Sequence, residues 1–361
     1  MNFSGSYRSG DVSFLLKPLA LQDFVDIPEK ERLIQSGQRH YSEMLSPESL
    51  PSARYLEVFR QACAINLERM ARDCLTLAAL IAARRSGPIT LVSLARAGTP
   101  VGVVLKHLLT GVLGREAAHY SVSIIRDRGI DQVALEHILA AGHAPESLVF
   151  IDGWTGKGVI SRELETAVAS FNAHHGTAID GGLYVLSDLA GTAACAASCD
   201  DYLIPSSILN ATVSGLVSRS ILNDAIGPGD FHGCVYYQQF EAHDQSQRFA
   251  DDLIARARGQ GQPQGTAAPM DRARAAAVSR QYMQAALAQH GIADVNLVKP
   301  GIGEATRVLL RRSPRLLIVR EPQAPEVAHL LLLAQEKNIP VATDPGLPYH
   351  AVSLIRSALD G

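Results

Sequence analysis

The sequence predicts an α/β fold in two parts, a parallel sheet flanked by helices and then a smaller three-layer α/β unit. Three observations predict it. The runs Ile89-Thr-Leu-Val-Ser-Leu-Ala95 and Leu148-Val-Phe-Ile151 are apolar and bounded by turn residues, which suits strands buried on both faces. Each run breaks into a glycine-bearing loop and then a helical pattern, as the strand–turn–helix units of a parallel sheet do. Residues 256–270 are a linker by composition, rich in Gly, Gln and Pro, and alternating βαβ elements follow in about 90 residues. The expected division is therefore 1–255, linker 256–270 and 271–361.

The 361 residues are 47% hydrophobic and 19% charged, enough for two domains with a sizeable core in the first. The N-terminus lacks a charged segment followed by an apolar one, so no signal peptide is expected. No apolar stretch approaches the roughly 18 residues of a membrane helix. Five scattered cysteines (Cys63, Cys74, Cys195, Cys199, Cys234) suit a reducing cytoplasm, not a disulfide framework. Cys195 and Cys199 have no second pair near them, which argues against zinc. Residues 271–361 hold 11 Lys and Arg against 8 Asp and Glu, a surplus of +3, which leaves −6 for the first 270 residues. The C-terminal part can therefore favour a polyanion.

Residues 1–60 are loop-rich (Gly5, Gly10, Pro18, Pro28, Pro47, Pro51), with a short strand at 14–16. The polar stretch Gly37-Gln38-Arg39-His40-Tyr41-Ser42-Glu43 reads as a flap over a ligand or as a surface turn. Phe59, Cys63, Leu67 and Met70 recur at helical spacing and predict a helix over 55–85, stopped by Gly87-Pro88. The strand 89–95 runs into Arg96-Ala97-Gly98-Thr99-Pro100 and an apolar helix over 101–109. A strand at 119–125 ends in Arg126-Asp127-Arg128-Gly129, which by itself reads as a solvated turn with an internal ion pair. A helix over 131–141 and the strand 147–151 follow. Then come a strand at 182–187, a small, flexible segment at 190–197 and a helix holding Asn210, Ser214 and Ser218 on one face. With Ser206 and Ser207, that stripe could read a base or second substrate; it could equally be capping and polar surface. Residues 231–240 are the last strand of the first part. The second part reads as helix 272–289, strand 295–298, a helix opened by Lys299-Pro-Gly301-Ile-Gly303-Glu304-Ala-Thr306-Arg307, strand 316–319, helix 326–336 and strand 339–342. Arg307, Arg311 and Arg315 share one face by their spacing of four, a basic face that Lys299 and Arg312 extend.

The chemistry concentrates after Leu148-Val-Phe-Ile151. Asp152 ends the strand, and Gly153, Thr155, Gly156, Lys157 and Gly158 lead into a helix patterned by Leu164, Val168 and Phe171. Glycines let backbone N–H groups approach a phosphate, and a helix N-terminus adds partial positive charge. Asp152 can accept from sugar hydroxyls or hold a metal, so the pair suits a ligand with ribose and phosphate. It is not a Walker A loop, because Ile151 and Gly158 stand where that motif needs Gly and Ser or Thr. His232 and Cys234 lie two apart on a predicted strand, but nothing there supplies an orienting third group, so they read as structural residues.

The Asp152–Gly158 loop resembles the 5-phosphoribosyl 1-diphosphate (PRPP) loop of type I phosphoribosyltransferases, with Gly153 at the usual second acidic position and a loop about two residues short. Arg96-Ala97-Gly98 resembles the pyrophosphate loop of that family's uracil enzymes, which commonly holds a non-proline cis peptide. The 301–307 helix start and Glu336-Lys-Asn-Ile-Pro340 resemble the Pelota/kink-turn-binding superfamily, with Gly303 where an Asn is usual. The two halves together resemble a bacterial family of phosphoribosyltransferase–Pelota fusions from tellurite-resistance and stress operons, also labelled StiP-type cysteine proteases. The resemblance implies a PRPP-dependent phosphoribosyltransferase, a pentosyl glycosyltransferase acting on an unidentified acceptor and releasing pyrophosphate, or alternatively a PRPP sensor. It implies Mg²⁺ held mainly by PRPP, with Asp152 touching it indirectly. Asp152 would hold the ribose, residues 153–158 the 5-phosphate, and Arg96, Ala97, Gly98 and Thr99, with flap cations Arg126 and Arg128, the diphosphate. Ser206, Ser207, Asn210 and Ser214 would face the acceptor. Lys299, Gly301, Gly303, Glu304 and Arg307 would contact RNA. A homodimer is expected, since the fold the chain resembles usually dimerises.

Overall fold

The strand at the centre of the molecule is one the sequence marks as apolar on both faces. The computed structural model describes residues 3–20, 24–261 and 272–356. In chain order the first part holds β1 (Ser13–Leu15), β2 (Lys17–Pro18), α1 (Ile27–Gln35), α2 (Ala53–Arg84), β3 (Ile89–Ala95), α3 (Thr99–Gly111), β4 (Ala117–Ile125), β5 (Gly129–Ile130), α4 (Gln132–Ala140), β6 (Leu148–Thr155), α5 (Val159–His175), β7 (Leu183–Asp188), β8 (Cys195–Ser198), β9 (Gly233–Cys234) and α6 (Ser246–Gly259). The second part holds α7 (Arg272–His290), β10 (Val298–Pro300), α8 (Ile302–Arg311), β11 (Pro314–Val319), α9 (Ala328–Glu336), β12 (Val341–Thr343) and β13 (Ala351–Ile355).

The fold is α/β with a mostly parallel sheet in the order β1-β4-β3-β6-β7-β8, all parallel along that path. The two-residue β5 adds antiparallel to β4. Leu91 and Val92 of β3 and Phe150 and Ile151 of β6 are fully buried, as strands covered by helices on both faces must be. Ser52 caps α2 by accepting from the Tyr55 N–H. The helix buries Met70, Ala71, Cys74 and Ala78 and packs on α3, α6 and β8. From β3 the chain crosses one way to β4 and the other way to β6. The carboxyl ends of β3 and β6 therefore flank a topological switch point, where open α/β sheets bind ligands.

Four expectations are corrected. The strand read as ending at Asp152, with a loop from Gly153, continues as β6 through Gly153 and Trp154 to Thr155, paired with β7. Residues 190–197, read as flexible, contain β8, which pairs with β7 from Cys195 onward. The expected strand 231–240 shrinks to β9, which pairs with β2 in a separate two-stranded sheet. The region of Ser206, Ser207, Asn210 and Ser214 is not an α-helix. It forms 3-10 turns at Pro205–Ser207 and Ala211–Val213. Gly215 and Leu216 take positive φ values of 82° and 59°, which no right-handed helix accepts. The hydroxyls there serve a buried loop's backbone: Ser214 donates to the Asn210 carbonyl, and Ser218 accepts from the Val235 N–H.

The second part carries a four-stranded sheet, β10-β13-β11-β12, in which only β11 and β12 run parallel. Its buried strand β13 has no counterpart in the sequence reading. Ile302, Ala305 and Leu309 of α8 join the same apolar cluster as Tyr202, Leu203 and Ile204 of the first part. The two parts thus meet along a shared core. Of the expected linker, α6 covers the start to Gly259, and residues 262–270 lie outside the described residues.

Candidate functional site

The turn leaving β3 touches strand β6 at the switch point. A Cβ on Gly98 would sit 2.4 Å from the Ile151 carbonyl oxygen, so only glycine lets the turn approach the strand this closely. The Ala95–Arg96 peptide is cis. Arg96 pairs with Glu48 at 2.6 Å and donates to the Val217 carbonyl at 2.8 Å. Both partners of that ion pair are largely buried. Ala97 completes this turn, and the Thr99 hydroxyl is buried against Ser121 at 2.7 Å.

On the β6 side, burial pushes the Asp152 carboxyl up to about 6, against its bond from the Gly153 N–H and the charge of Arg307. Thr155 donates to Asp188, a buried carboxylate that also accepts from the Ala190, Thr192 and Ala193 N–H groups. The ammonium of Lys157 donates to the Val295 carbonyl at 2.8 Å. Burial, with Lys299 beside it, brings Lys157 down to about 8. Gly158 caps α5 at a positive φ of 70°.

The polar stretch 37–43 meets the turn at 126–128. The Arg126 N–H donates to the Tyr41 hydroxyl at 2.8 Å, and the guanidinium groups of Arg126 and Arg219 lie 5.5 and 5.6 Å from the centre of the Tyr41 ring. Arg126 also holds Asp127 at 3.1 Å, and Arg128 faces Glu43 at 3.6 Å. Ser206 and Asn210 are part-buried and Ser207 and Ser214 buried, on the turns described above.

The second part closes on this rim. Gly301, at a φ of 89°, starts α8. A Cβ on Gly303 would lie 3.1 Å from the Trp154 ring. Arg307 stacks on that ring and bonds Glu304 at 3.1 Å, while Lys299 faces Glu304 at 3.8 Å. Burial pushes Glu304 up, but Lys299, Arg307 and Lys157 outweigh it and hold the carboxyl below its usual range. Gly156 faces Glu304 and Pro300 across the seam. Asp201 accepts from the Ile302 and His350 N–H groups, both at 2.8 Å, and so caps α8 from the other part of the chain. The side chain of Arg311 lies outside the described residues, while Arg312 and Arg315 are exposed.

The thiols differ sharply. Cys74, Cys195 and Cys234 are buried, Cys63 is half-buried, and Cys199 is exposed just past β8. Burial pushes Cys63 and Cys234 up to about 12. The His232 ring is engaged by Ser123 at 2.7 Å. Among the described residues no thiol bonds an imidazole, and no group of three or more His, Cys, Asp or Glu could hold a metal ion. Among the described residues no helix is long and apolar enough to cross a membrane.

Residues 5–254 match the family described as tellurite-like stress resistance cysteine protease StiP. A relative from Acinetobacter baylyi (strain ATCC 33305 / BD413 / ADP1), named cysteine protease StiP, is 43% identical over 368 residues, covering 98% of this chain and 94% of its own. The chain belongs to the StiP family. Residues 277–357 also match the Pelota RNA-binding domain.

Membership in the StiP family corrects the functional expectation. The family and the relative are named for a cysteine protease, a hydrolase, and neither for a phosphoribosyltransferase or any glycosyltransferase. The PRPP-dependent transfer reaction and its PRPP-sensing alternative are set aside on that finding. Within this StiP-family chain the residues expected around PRPP already have internal partners: Arg96 has Glu48, Thr99 has Ser121, Thr155 has Asp188 and Lys157 has Val295. The sequence reading missed Asp188 and Asp201, which organise the rim, and the role of Trp154. The available signals were that Trp154 is the chain's one tryptophan and that Asp201 belongs to an Asp-Asp pair after a strand.

Proposed function

We propose that the chain is a thiol peptidase with Cys199 as its nucleophile. The observation that carries the reading is the end-to-end relative named a cysteine protease. A thiol peptidase needs a thiolate that substrate can reach, and burial in apolar surroundings keeps a cysteine inert. Burial disfavours Cys63, Cys74, Cys195 and Cys234 on that ground, three of them buried and Cys63 half-buried with its thiol pushed up to about 12. Cys199 is exposed at the carboxyl end of the parallel sheet. His350 is the imidazole-bearing residue that a hydrogen bond, through its backbone N–H and Asp201, ties to this loop, and we assign it as the base. The thiol–imidazole contact then forms with substrate, since catalytic hydrogen bonds are often loose before binding. The test is hydrolysis of an unfolded polypeptide under reducing conditions. Alkylation, Cys199→Ser and His350→Ala should each abolish it, and a folded Cys234→Ser protein should keep it. Hydrolysis that survives Cys199→Ser sinks the assignment.

The second part of the chain reads as an RNA-binding domain, on its match to the Pelota RNA-binding domain and on the exposed Arg312 and Arg315. Gly303 offers no side chain to read a base, so phosphate contacts should dominate. Affinity for single strands should then fall with salt at a slope of about −0.7 per neutralised phosphate. The finer fold reading, a type I phosphoribosyltransferase-like sheet, rests on the switch point between β3 and β6 and its two glycine loops; it concerns the scaffold, since fold does not fix function. Five free cysteines suit a cytoplasmic setting.

A further inference from the structure

We propose that the RNA-facing edge of the second domain is a latch: closed, it covers the switch-point crevice of the first domain, and RNA binding requires it to open. The inference rests on the reading of this domain as RNA-binding. Its residues are those expected to meet RNA, yet they face inward. Gly303 lies against the Trp154 ring, where a Cβ would come within 3.1 Å of the ring and fit only if the ring gave way slightly. Arg307 is stacked on the same ring at 4.5 Å. Lys299 and Arg307 share Glu304 within the seam. The N–H of Ile302, in the first turn of α8, is taken by Asp201, so a backbone donor at the helix start that could bind phosphate is already satisfied.

The first domain holds the latch through the apolar seam of Ile302, Ala305 and Leu309 on Tyr202, Leu203 and Ile204, which opening must separate, and at several polar points. Asp201 binds two N–H groups, Lys157 reaches the Val295 carbonyl, and Arg54 pairs with Glu336 at the periphery at 3.0 Å. What closes over the crevice is therefore the same surface that would hold a phosphate backbone. Arg312 and Arg315 stay exposed in the closed form and supply the first, weak attraction. RNA that binds only the open form must shift the equilibrium by its preference for that form, and its apparent affinity falls in proportion to the open fraction. By linkage, whatever stabilises the closed form weakens RNA binding equally.

Trp154 is the sole tryptophan, so its emission reports the latch directly in the full chain. The probe is a labelled single-stranded RNA of mixed sequence, followed by anisotropy for binding and by Trp154 emission and acrylamide quenching for opening. The expected result is that saturating RNA red-shifts Trp154 and raises its quenching, and that Asp201→Ala binds RNA about tenfold tighter by losing two bonds that hold the latch. Arg54→Ala, at an exposed residue, should shift affinity the same way by a smaller factor, and far-UV circular dichroism checks that both variants fold. Saturable RNA binding with unchanged Trp154 emission and equal affinity in the variants overturns the latch and leaves the RNA reading standing. No RNA binding by any protein, including variants whose Trp154 is exposed, overturns the RNA reading and the latch with it. Titrating the unmodified protein with RNA separates these outcomes even if Asp201→Ala fails to fold.

Discussion

The guanidinium carbon of Arg307 lies 4.5 Å from the ring centre of Trp154, joining α8 of the second domain to β6 of the first. Such stacking contributes about 0.5–1 kcal/mol at exposed sites and about 2 when desolvated. Arg307 is one-third exposed, which favours the lower figure. Arg307→Ala should therefore red-shift Trp154 emission and lower unfolding stability by about 1 kcal/mol. Arg307→Lys should fall between, because an ammonium keeps the charge and loses the planar fit. Unchanged emission in a folded Arg307→Ala protein would show that the stacking does not shield the indole.

Asp152 makes stability depend on pH. Its folded value of about 6 lies above the unfolded value near 3.9, so the folded chain holds more protons between those limits. This contribution is fully present below about pH 4 and is lost as pH rises through about 6. Asp73, also pushed up to about 6 by burial, acts in the same direction. Buried His119 and His329, pushed down to about 3 and about 4, act the other way in wild type and variant alike. Asp152 is therefore read from the difference: in urea unfolding, the stability of Asp152→Asn relative to wild type should rise from about pH 4 to 6. A stability difference between Asp152→Asn and wild type that stays constant from about pH 4 to 6 would contradict the placement of this carboxyl.

Glu48 and Arg96 provide a contrast between buried and surface pairs. Their side chains are 12% and 13% exposed, and Glu48 also accepts from the Ala211 N–H. Removing one partner of a buried pair costs roughly 3–5 kcal/mol, because the other charge is left uncompensated. Arg8 and Asp251 pair at 2.6 Å with 59% and 38% exposure, where the cost is about 0–1 kcal/mol. Equilibrium unfolding of Glu48→Gln and Arg8→Ala should reproduce that ranking, and equal losses would mean that Glu48 is solvated in solution.

The parallel sheet was legible because burial on both faces leaves continuous apolar runs, as at 89–95 and 148–151. The turn after β3 was legible as a turn, but Gly153 to Thr155, read as loop, continue strand β6, and the chemistry of neither was legible. Nothing local to Thr155 announces Asp188, 33 residues on, and nothing local to Arg96 announces Glu48. Pattern alone read Asn210, Ser214 and Ser218 as a helical stripe, since a spacing of four carries no sign that Gly215 and Leu216 turn left-handed. Gly303 looked like a lost base-reading side chain; the structure gives it a packing reason in Trp154, 149 positions away. The strand β13 escaped because Ala351-Val-Ser-Leu-Ile355 is short and follows the turn formers Pro345, Gly346 and Pro348.

The most direct test of the central claim is covalent labelling of the native chain by a peptide bearing a vinyl sulfone, with the adduct mapped by mass spectrometry. The account predicts a single adduct on Cys199 in the folded protein, suppressed in His350→Ala, and labelling of the buried thiols only after unfolding. An adduct on Cys234, or peptide hydrolysis with Cys199 unlabelled, would contradict it.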